Sequence, residues 1–544
     1  MGRAQNSQNA GKHGSSRRLT HGNADFGFYR LRACLIDYPA ARARILGETG
    51  PRRVTQINAQ KRRYLHFFLF AARQAGGAGP SICRLQEAIY NSNVTTATRA
   101  SAVLRRSFRK CFPAAVRGEG VYLWDSTGKR YLDFSGSAAV NFIGHGVPEI
   151  AAAMAEQAAQ LEFVHTSQFT TPVAEEYAEE LLAFAGENFR DGSVYFTCGG
   201  SESIETALKL ARQYQVEVGQ PRRHQIISRQ QSYHGATLGA LSVSGNRKRR
   251  EMYLPMVKEF AHVGIPYCYR CKFDCTDSCF NCGQQYAAEV EQAIVASRGE
   301  AAAFIFEPVS GATLGAVTPP PGYLHAIAEI CHRHGVLLIA DEVMTGIGRT
   351  GRNFAVEHWG IAPDILVTAK GLSSGYAPLG AVIASKKVVD AIAVGSGAFL
   401  HGFTYNAHPI SLAAGRAVLR YLKSRNLVQA AGSQESSSAA EKLRHALDGL
   451  LDLPRVGDVR GIGMLLGVEF VADKKTKQTF APEKNFASQV GQAAAQRGLV
   501  VYPMQGCVDG ISGDHLLIAP PAIIMDEQIA WSAGQLRSAI EEIA

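Results

Sequence analysis

Five short apolar runs, each closed by glycine or a polar residue and most of them followed by a helical stretch, constrain this chain more than any other feature. They read SVYFTCGG, HQIISRQQSYHG, AAAFIFEPVSG, GVLLIADEVMTG and ILVTAKG, spread between residues 193 and 371. A run of four to six apolar residues without alternation fits a strand covered on both faces. Strands of that kind alternating with helices predict an α/β fold whose large domain holds a mostly parallel sheet flanked by helices. In such sheets ligands collect beyond the carboxyl ends of the strands. The residues closing the runs are Gly200 and Ser201, Tyr233 and His234, Glu307, Asp341 and Lys370. They are expected to meet in one crevice.

The rest of the chain frames that core. VYLWDSTGKRYLDFSGSAAV (121 to 140) reads as a hairpin turning at Asp-Ser-Thr-Gly, and residues 147 to 162 have helical composition. Beyond about Asn406 the chain reads as mixed and mostly helical, with a short strand pair at GMLLGVEFVAD and GLVVYP. We therefore expect an N-terminal part of a small domain over 101–165, a large domain over 166–405 and the C-terminal part of the small domain over 406–544.

Residues 1–100 stand apart. They carry 16 Lys and Arg against four acidic residues, whereas the remainder has 41 basic and 43 acidic residues, so the formal charge of +10 lies wholly in the head. Three readings stay open for it: a disordered arm or a start placed too far upstream, an Arg-rich targeting peptide, or an arm for nucleic acid or a membrane surface. Nucleic-acid binding by the body is not expected. No apolar run approaches the ~20 residues of a membrane span. The stretch from Leu65 to Ala72 is too short for one and too deep in the chain for a signal peptide. Eleven cysteines in 544 residues do not resemble a secreted disulfide scaffold, which points to a reducing, cytoplasmic setting unless the head directs the chain to an organelle.

Lys370 and Asp341 raise the chemical question. Each ends an apolar strand, so each needs a partner or a task. One reading is a buried ion pair. The other makes Lys370 a nucleophile whose amine is freed by desolvation. Lysine condenses with aldehydes, and the common protein-bound aldehyde is pyridoxal 5'-phosphate. That cofactor needs a lysine, a carboxylate at its ring nitrogen and a phosphate cup. Gly199, Gly200 and Ser201 directly before a helix rich in Glu, Ala and Leu supply a cup, although Ser201 also reads as an ordinary helix cap. Tyr233 offers a ring to stack on a pyridine, or else a buried core tyrosine.

With these residues in order, the chain from about residue 105 onward resembles the class III aminotransferases of pyridoxal-phosphate fold type I. LLIADEVMTGIGRTG running through PDILVTAKGLSSGYAPLGAV is similar to the family's signature segment. The resemblance implies Lys370 as the Schiff-base lysine and Asp341 as the partner of the pyridinium nitrogen. It places Val343 against the ring face opposite Tyr233, and Gly200, Ser201 and His234 among the cofactor contacts. Thr404, in HGFTYNAHP, resembles the threonine that reaches the phosphate of the neighbouring subunit, which implies a homodimer with shared sites. Glu307 and Arg460 resemble a glutamate–arginine gate for a substrate carboxylate, with an interdomain ion pair as the plainer reading. FTYNAHP is similar to the pyruvate-using ω-amine group, and Met344 stands where many relatives carry glutamine.

The activity implied is transfer of an amino group from an amine or ω-amino acid to an α-keto acid such as pyruvate or 2-oxoglutarate. Aminomutases, decarboxylases and racemases share the same core residues. An inactive regulatory protein is the reading from another class, against which intact Lys370, Asp341, Ser201 and Thr404 speak. A cysteine-rich insertion over 266–283 adds Cys268, Cys271, Cys275, Cys279 and Cys282, where two Cys-x-x-Cys pairs leave a bound metal or redox-active thiols open. Transamination needs no metal there.

Overall fold

The computed structural model describes residues 102–108, 110, 112–273, 279–432 and 438–544. The chain divides into two units, Met1–Phe112 and Pro113–Ala544. The first contributes only residues 102–108, 110 and 112 to the description, none in a helix or strand, so the readings placed on the basic head lie outside the described residues.

The second unit opens with an antiparallel meander: β1 (Ala115–Glu119), β2 (Tyr122–Asp125) and β3 (Arg130–Asp133). The expected turn joins β2 to β3. Asp125 Oδ1 accepts from the Thr127 amide (2.9 Å), the Thr127 hydroxyl (2.6 Å) and the Lys129 amide (3.1 Å), an Asx arrangement that fixes the reversal. Gly128 takes φ +85°, open only at small cost to glycine.

The central sheet contains β4 (Ser193–Thr197), β5 (Gln225–Arg229), β6 (His262–Val263), β7 (Ala301–Phe306), β8 (Leu337–Asp341), β9 (Ile365–Thr368) and β10 (Gly380–Ala384). Their order is β4-β10-β9-β8-β7-β5-β6. All pairings from β9 through β6 are parallel. β10 is antiparallel to both β9 and β4. Every residue of β7 is buried, and from Ala303 to Phe306 its side chains alternate between two cores. Ala303 and Ile305 pack with Ile204, Ala207, Leu210 and Ala211 of the helix Gly200–Glu217. Phe304 and Phe306 face the opposite layer, with Tyr286, Val290 and Ile327 from the helices Phe280–Ala296 and Tyr323–Arg333. Each such phenylalanine contributes roughly 1.5–3 kcal/mol by leaving water.

The C-terminal part adds β11 (Val456–Ile462), β12 (Leu465–Phe470), β13 (Leu499–Val500), β14 (Tyr502–Gln505) and β15 (Asp514–Ile518). The expected strand pair is corrected here. The two runs form β12 and β14, but β15 lies between them in an antiparallel sheet ordered β11-β12-β15-β14. The Leu499–Val500 portion pairs instead with β3, in parallel, so segments from both chain ends share a sheet. Arg349 ties these parts to the centre. Its buried guanidinium donates to the carbonyls of Asn141 (2.9 Å), Ala519 (3.0 Å) and Pro520 (2.7 Å). No helix among the described residues is long and apolar enough to cross a membrane.

Candidate active site

The carboxyl ends of β4, β5, β7, β8 and β9 border a cavity of about 320 Å³. Gly200, Ser201, Tyr233, His234, Glu307, Asp341, Val343 and Lys370 all line it, so the residues closing the five apolar runs meet as the sheet topology demands. Lys370 follows β9 with φ +43°, in the left-handed region. That backbone costs a residue with a Cβ of the order of 1 kcal/mol, and it turns the chain sharply where the strand ends. Burial holds the Lys370 ammonium below the ordinary lysine range, opposed by Asp341 and Glu307 and reinforced by Arg249 and Arg349. The amine is thereby made easier to deprotonate, as a nucleophile requires.

Asp341 is buried at the end of β8, and both its oxygens are held. One accepts from the Val343 amide at 3.0 Å, and the other lies 2.7 Å from His234 Nδ1. Among the described residues His234 Nε2 has no hydrogen-bond partner. A carboxylate facing Nδ1 assigns the ring hydrogen to Nδ1 as the donor toward Asp341. A carboxylate so oriented keeps a lone pair for a cation or N–H in the cavity.

The expected phosphate cup is made of backbone. The helix Gly200–Glu217 begins after Gly199, with no side chain capping it. Ser201 therefore is not the helix cap that its sequence also allowed. Its hydroxyl instead accepts from the Ala236 amide at 3.0 Å, across the mouth of the cup. The first-turn N–H groups and the positive end of the helix dipole remain open to an anion. Two glycines permit this closeness. A Cβ on Gly200 would sit 3.0 Å from the Val343 side chain. One on Gly235, where φ is +145°, would lie 2.7 Å from Ser201 Oγ. Lysine, buried carboxylate, a cavity lined by Tyr233 and Val343, and an uncapped helix start thus fit pyridoxal phosphate.

On the substrate side, Glu307 and Arg460 form no ion pair with each other and hold other partners. Glu307 accepts from the Tyr233 amide (2.8 Å) and the Gly311 amide (2.6 Å), which fixes the Tyr233 backbone and the loop after β7. Arg460, on β11, pairs with Asp458 (2.9 Å) and Glu469 (2.8 Å) and donates to the Leu314 carbonyl. The cause is register. Arg460 stands opposite Gly467, which has no side chain, so its guanidinium runs diagonally to Glu469 two residues along β12. Met344 lines the cavity. Thr404 lies on an exposed segment and does not line the cavity of its own chain.

In the cysteine-rich insertion, Cys268, Cys271 and Cys279 are half-buried, and Cys275 lies outside the described residues. The Cys268 thiol is pushed up to about 12 by burial and a hydrogen bond to Cys279. Cys282 is disulfide-bonded, so it is not available as a thiolate ligand for the metal that the sequence left open. Among the described residues no group of three or more His, Cys, Asp or Glu is arranged to hold a metal.

Sequence reasoning did not single out the Asp341–His234 pairing, or Glu342, buried beside Asp341 and accepting from the Thr345 hydroxyl and the Val356 amide (2.8 Å). It also passed over Arg249, whose guanidinium lies 4.2 Å from the centre of the Tyr233 ring. A basic run such as RKRR carries no signal of which arginine turns inward.

Residues 104–540 match the profile of the family described as aminotransferase class-III. The chain belongs to that family. Among relatives of this aminotransferase is the uncharacterised aminotransferase YodT of Bacillus subtilis, 40% identical over 436 residues that span 79% of this chain and 95% of YodT. The putrescine–pyruvate aminotransferase of Pseudomonas aeruginosa is 33% identical over 431 residues, 79% of this chain and 90% of that one. Among solved structures, a thermostable (S)-enantioselective omega-transaminase from Thermomicrobium roseum superimposes with a TM-score of 0.75 at 36% identity, covering 82% of this aminotransferase and 96% of that chain. The fold is that of the type I transaminases, and the protein is an aminotransferase enzyme.

Proposed function

We propose that this aminotransferase uses pyridoxal 5'-phosphate to move an amino group from an amine or ω-amino acid to an α-keto acid, in two half-reactions of a ping-pong cycle. The observation that carries this reading is the joint placement of Lys370, Asp341 with His234, and the uncapped start of the helix Gly200–Glu217 around one cavity. The cofactor, when bound, supplies an electron sink for the carbon that loses a proton. Lys370 would hold it covalently through Nζ. Once a substrate amine has taken that place, the same Nζ would be the base that removes the Cα proton and the acid that returns it two bonds away, at the cofactor carbon. Asp341, oriented by His234, would keep the ring nitrogen protonated. Ser201 and the helix N-terminus would hold the phosphate, while Tyr233 and Val343 confine the ring.

Thr404 supports a homodimer in this reading: exposed and outside its own cavity, it is free to complete a neighbour's cup. The setting we favour is the cytoplasm. The activity reported in the name of the Pseudomonas relative, putrescine with pyruvate, supports an amine donor and a keto-acid acceptor. The deciding experiment mixes cofactor-loaded enzyme with a panel of diamines, β-amino acids and ω-amino acids, then adds pyruvate or 2-oxoglutarate. Transamination gives a carbonyl product in the first step and an aminated acid in the second. Carbon dioxide, an inverted stereocentre or an isomerised amine without net transfer would assign the site to the decarboxylase, racemase or aminomutase branch.

A further inference from the structure

Three arginines near the cavity, Arg229, Arg249 and Arg349, form no ion pair with a carboxylate among the described residues, and Arg229 donates to the Glu307 carbonyl. Arg460, the expected receiver of a substrate carboxylate, is already matched by Asp458 and Glu469. Arg349 donates to the carbonyls of Asn141, Ala519 and Pro520. Of the neighbouring basic residues, Arg247 faces Glu251 at 4.0 Å. Arg249 makes no ion pair with any described residue, and its half-buried guanidinium lies over the Tyr233 ring, which lines the cavity.

Its position is built rather than incidental. Asn246 Oδ1 accepts from the Arg249 amide at 3.2 Å, and Asn246 Nδ2 donates to Gln231 Oε1 at 2.8 Å. The amides of Gly245 and Asn246 both donate to the Ser232 carbonyl, each at 3.1 Å. The short helix Arg247–Arg250 is thus laced to the segment that ends in Tyr233, which Glu307 fixes from the other side. A guanidinium stacked on an aromatic ring keeps its edge N–H groups for a planar anion.

We propose that Arg249 receives a substrate carboxylate at this site, in the role expected of Arg460. The inference rests on the transaminase reading and narrows it: the substrates include at least one acid whose carboxylate reaches the Tyr233 side of the cavity. Electrostatics agrees, since the charge of Arg249 bears on the Lys370 amine. The ligand chemistry is a carboxylate, and it has two sources: the α-carboxylate of a keto acid or the distal carboxylate of an ω-amino acid.

The test compares Arg249→Gln and Arg249→Lys with the wild-type holoenzyme, using pyruvate, 4-aminobutanoate and the uncharged-chain amine butylamine. Losing a charge-assisted hydrogen bond should raise KM for the carboxylate-bearing substrate about 10- to 100-fold in Arg249→Gln. The lysine variant should recover part of it, and KM for butylamine should stay within about twofold of wild type. A rise confined to pyruvate assigns the α-carboxylate, and a rise confined to 4-aminobutanoate assigns the distal one. Butanoate binding to the holoenzyme, followed by calorimetry, needs no turnover and should weaken by a similar factor. If no amine is transaminated but butanoate binding depends on Arg249, the carboxylate site stands and the transaminase reading falls. Unchanged KM and butanoate affinity in Arg249→Gln, or an equal rise for butylamine, would overturn the proposal.

Discussion

Replacing Glu342 by glutamine should flatten the pH dependence of stability. Burial raises the Glu342 carboxyl from 4.5 to about 7, with the Thr345 hydroxyl and the Val356 amide working against it. The native state therefore holds a proton that the unfolded chain has released, and between pH 4.5 and 7 stability falls as pH rises. A displacement of that size is worth about 3 kcal/mol above pH 7. Unfolding entropy of about 2.1 cal/mol/K per residue over roughly 430 residues converts this to about 3–4 °C in Tm. Glutamine removes the titration and can still accept from Val356. Scanning calorimetry of wild type and Glu342→Gln at pH 5 and pH 8 reads the effect, because every other titrating group is common to both. The Tm difference should move by about 3 °C in favour of the variant between the two pH values. Parallel profiles would refute the claim that this carboxyl is protonated in the fold near neutrality.

Two further substitutions probe the cup and the sheet. Gly235→Ala forces a Cβ to within 2.7 Å of Ser201 Oγ and 2.8 Å of the Ala240 Cβ at φ +145°, so pyridoxal-phosphate affinity, followed by absorbance titration, should fall at least tenfold. Phe304→Ala removes a fully buried ring from β7 and should lower stability by about 3–5 kcal/mol in urea unfolding, with the midpoint reporting the loss.

Much of the large sheet was legible because parallel strands buried on both faces leave short unbroken apolar runs. β4, β5, β7, β8 and β9 each carry one, and chemistry at strand ends follows from the topology. β10 was not legible. Gly380–Ala384 follows a Gly, Ser and Pro-rich loop and enters the sheet antiparallel, a choice made by its neighbours β4 and β9 rather than by its own residues. The partners of Arg460 were hidden for a similar reason. Only the β11–β12 register, with Gly467 opposite the arginine, sends that side chain to Glu469. Gly467 itself is required by a backbone it meets from elsewhere: a Cβ there would lie 2.0 Å from the Gly315 carbonyl oxygen. Arg249 belongs to the same class, since its place over the Tyr233 ring is a tertiary contact that a basic run does not announce.

The proposed covalent attachment at Lys370 is tested by reducing the cofactor-loaded enzyme with borohydride, digesting it and locating the modified residue by mass spectrometry. The pyridoxyl group should appear on the peptide containing Lys370, and both the label and the visible cofactor band should be lost in Lys370→Ala. A label on another lysine, or a visible band retained in Lys370→Ala, would contradict it.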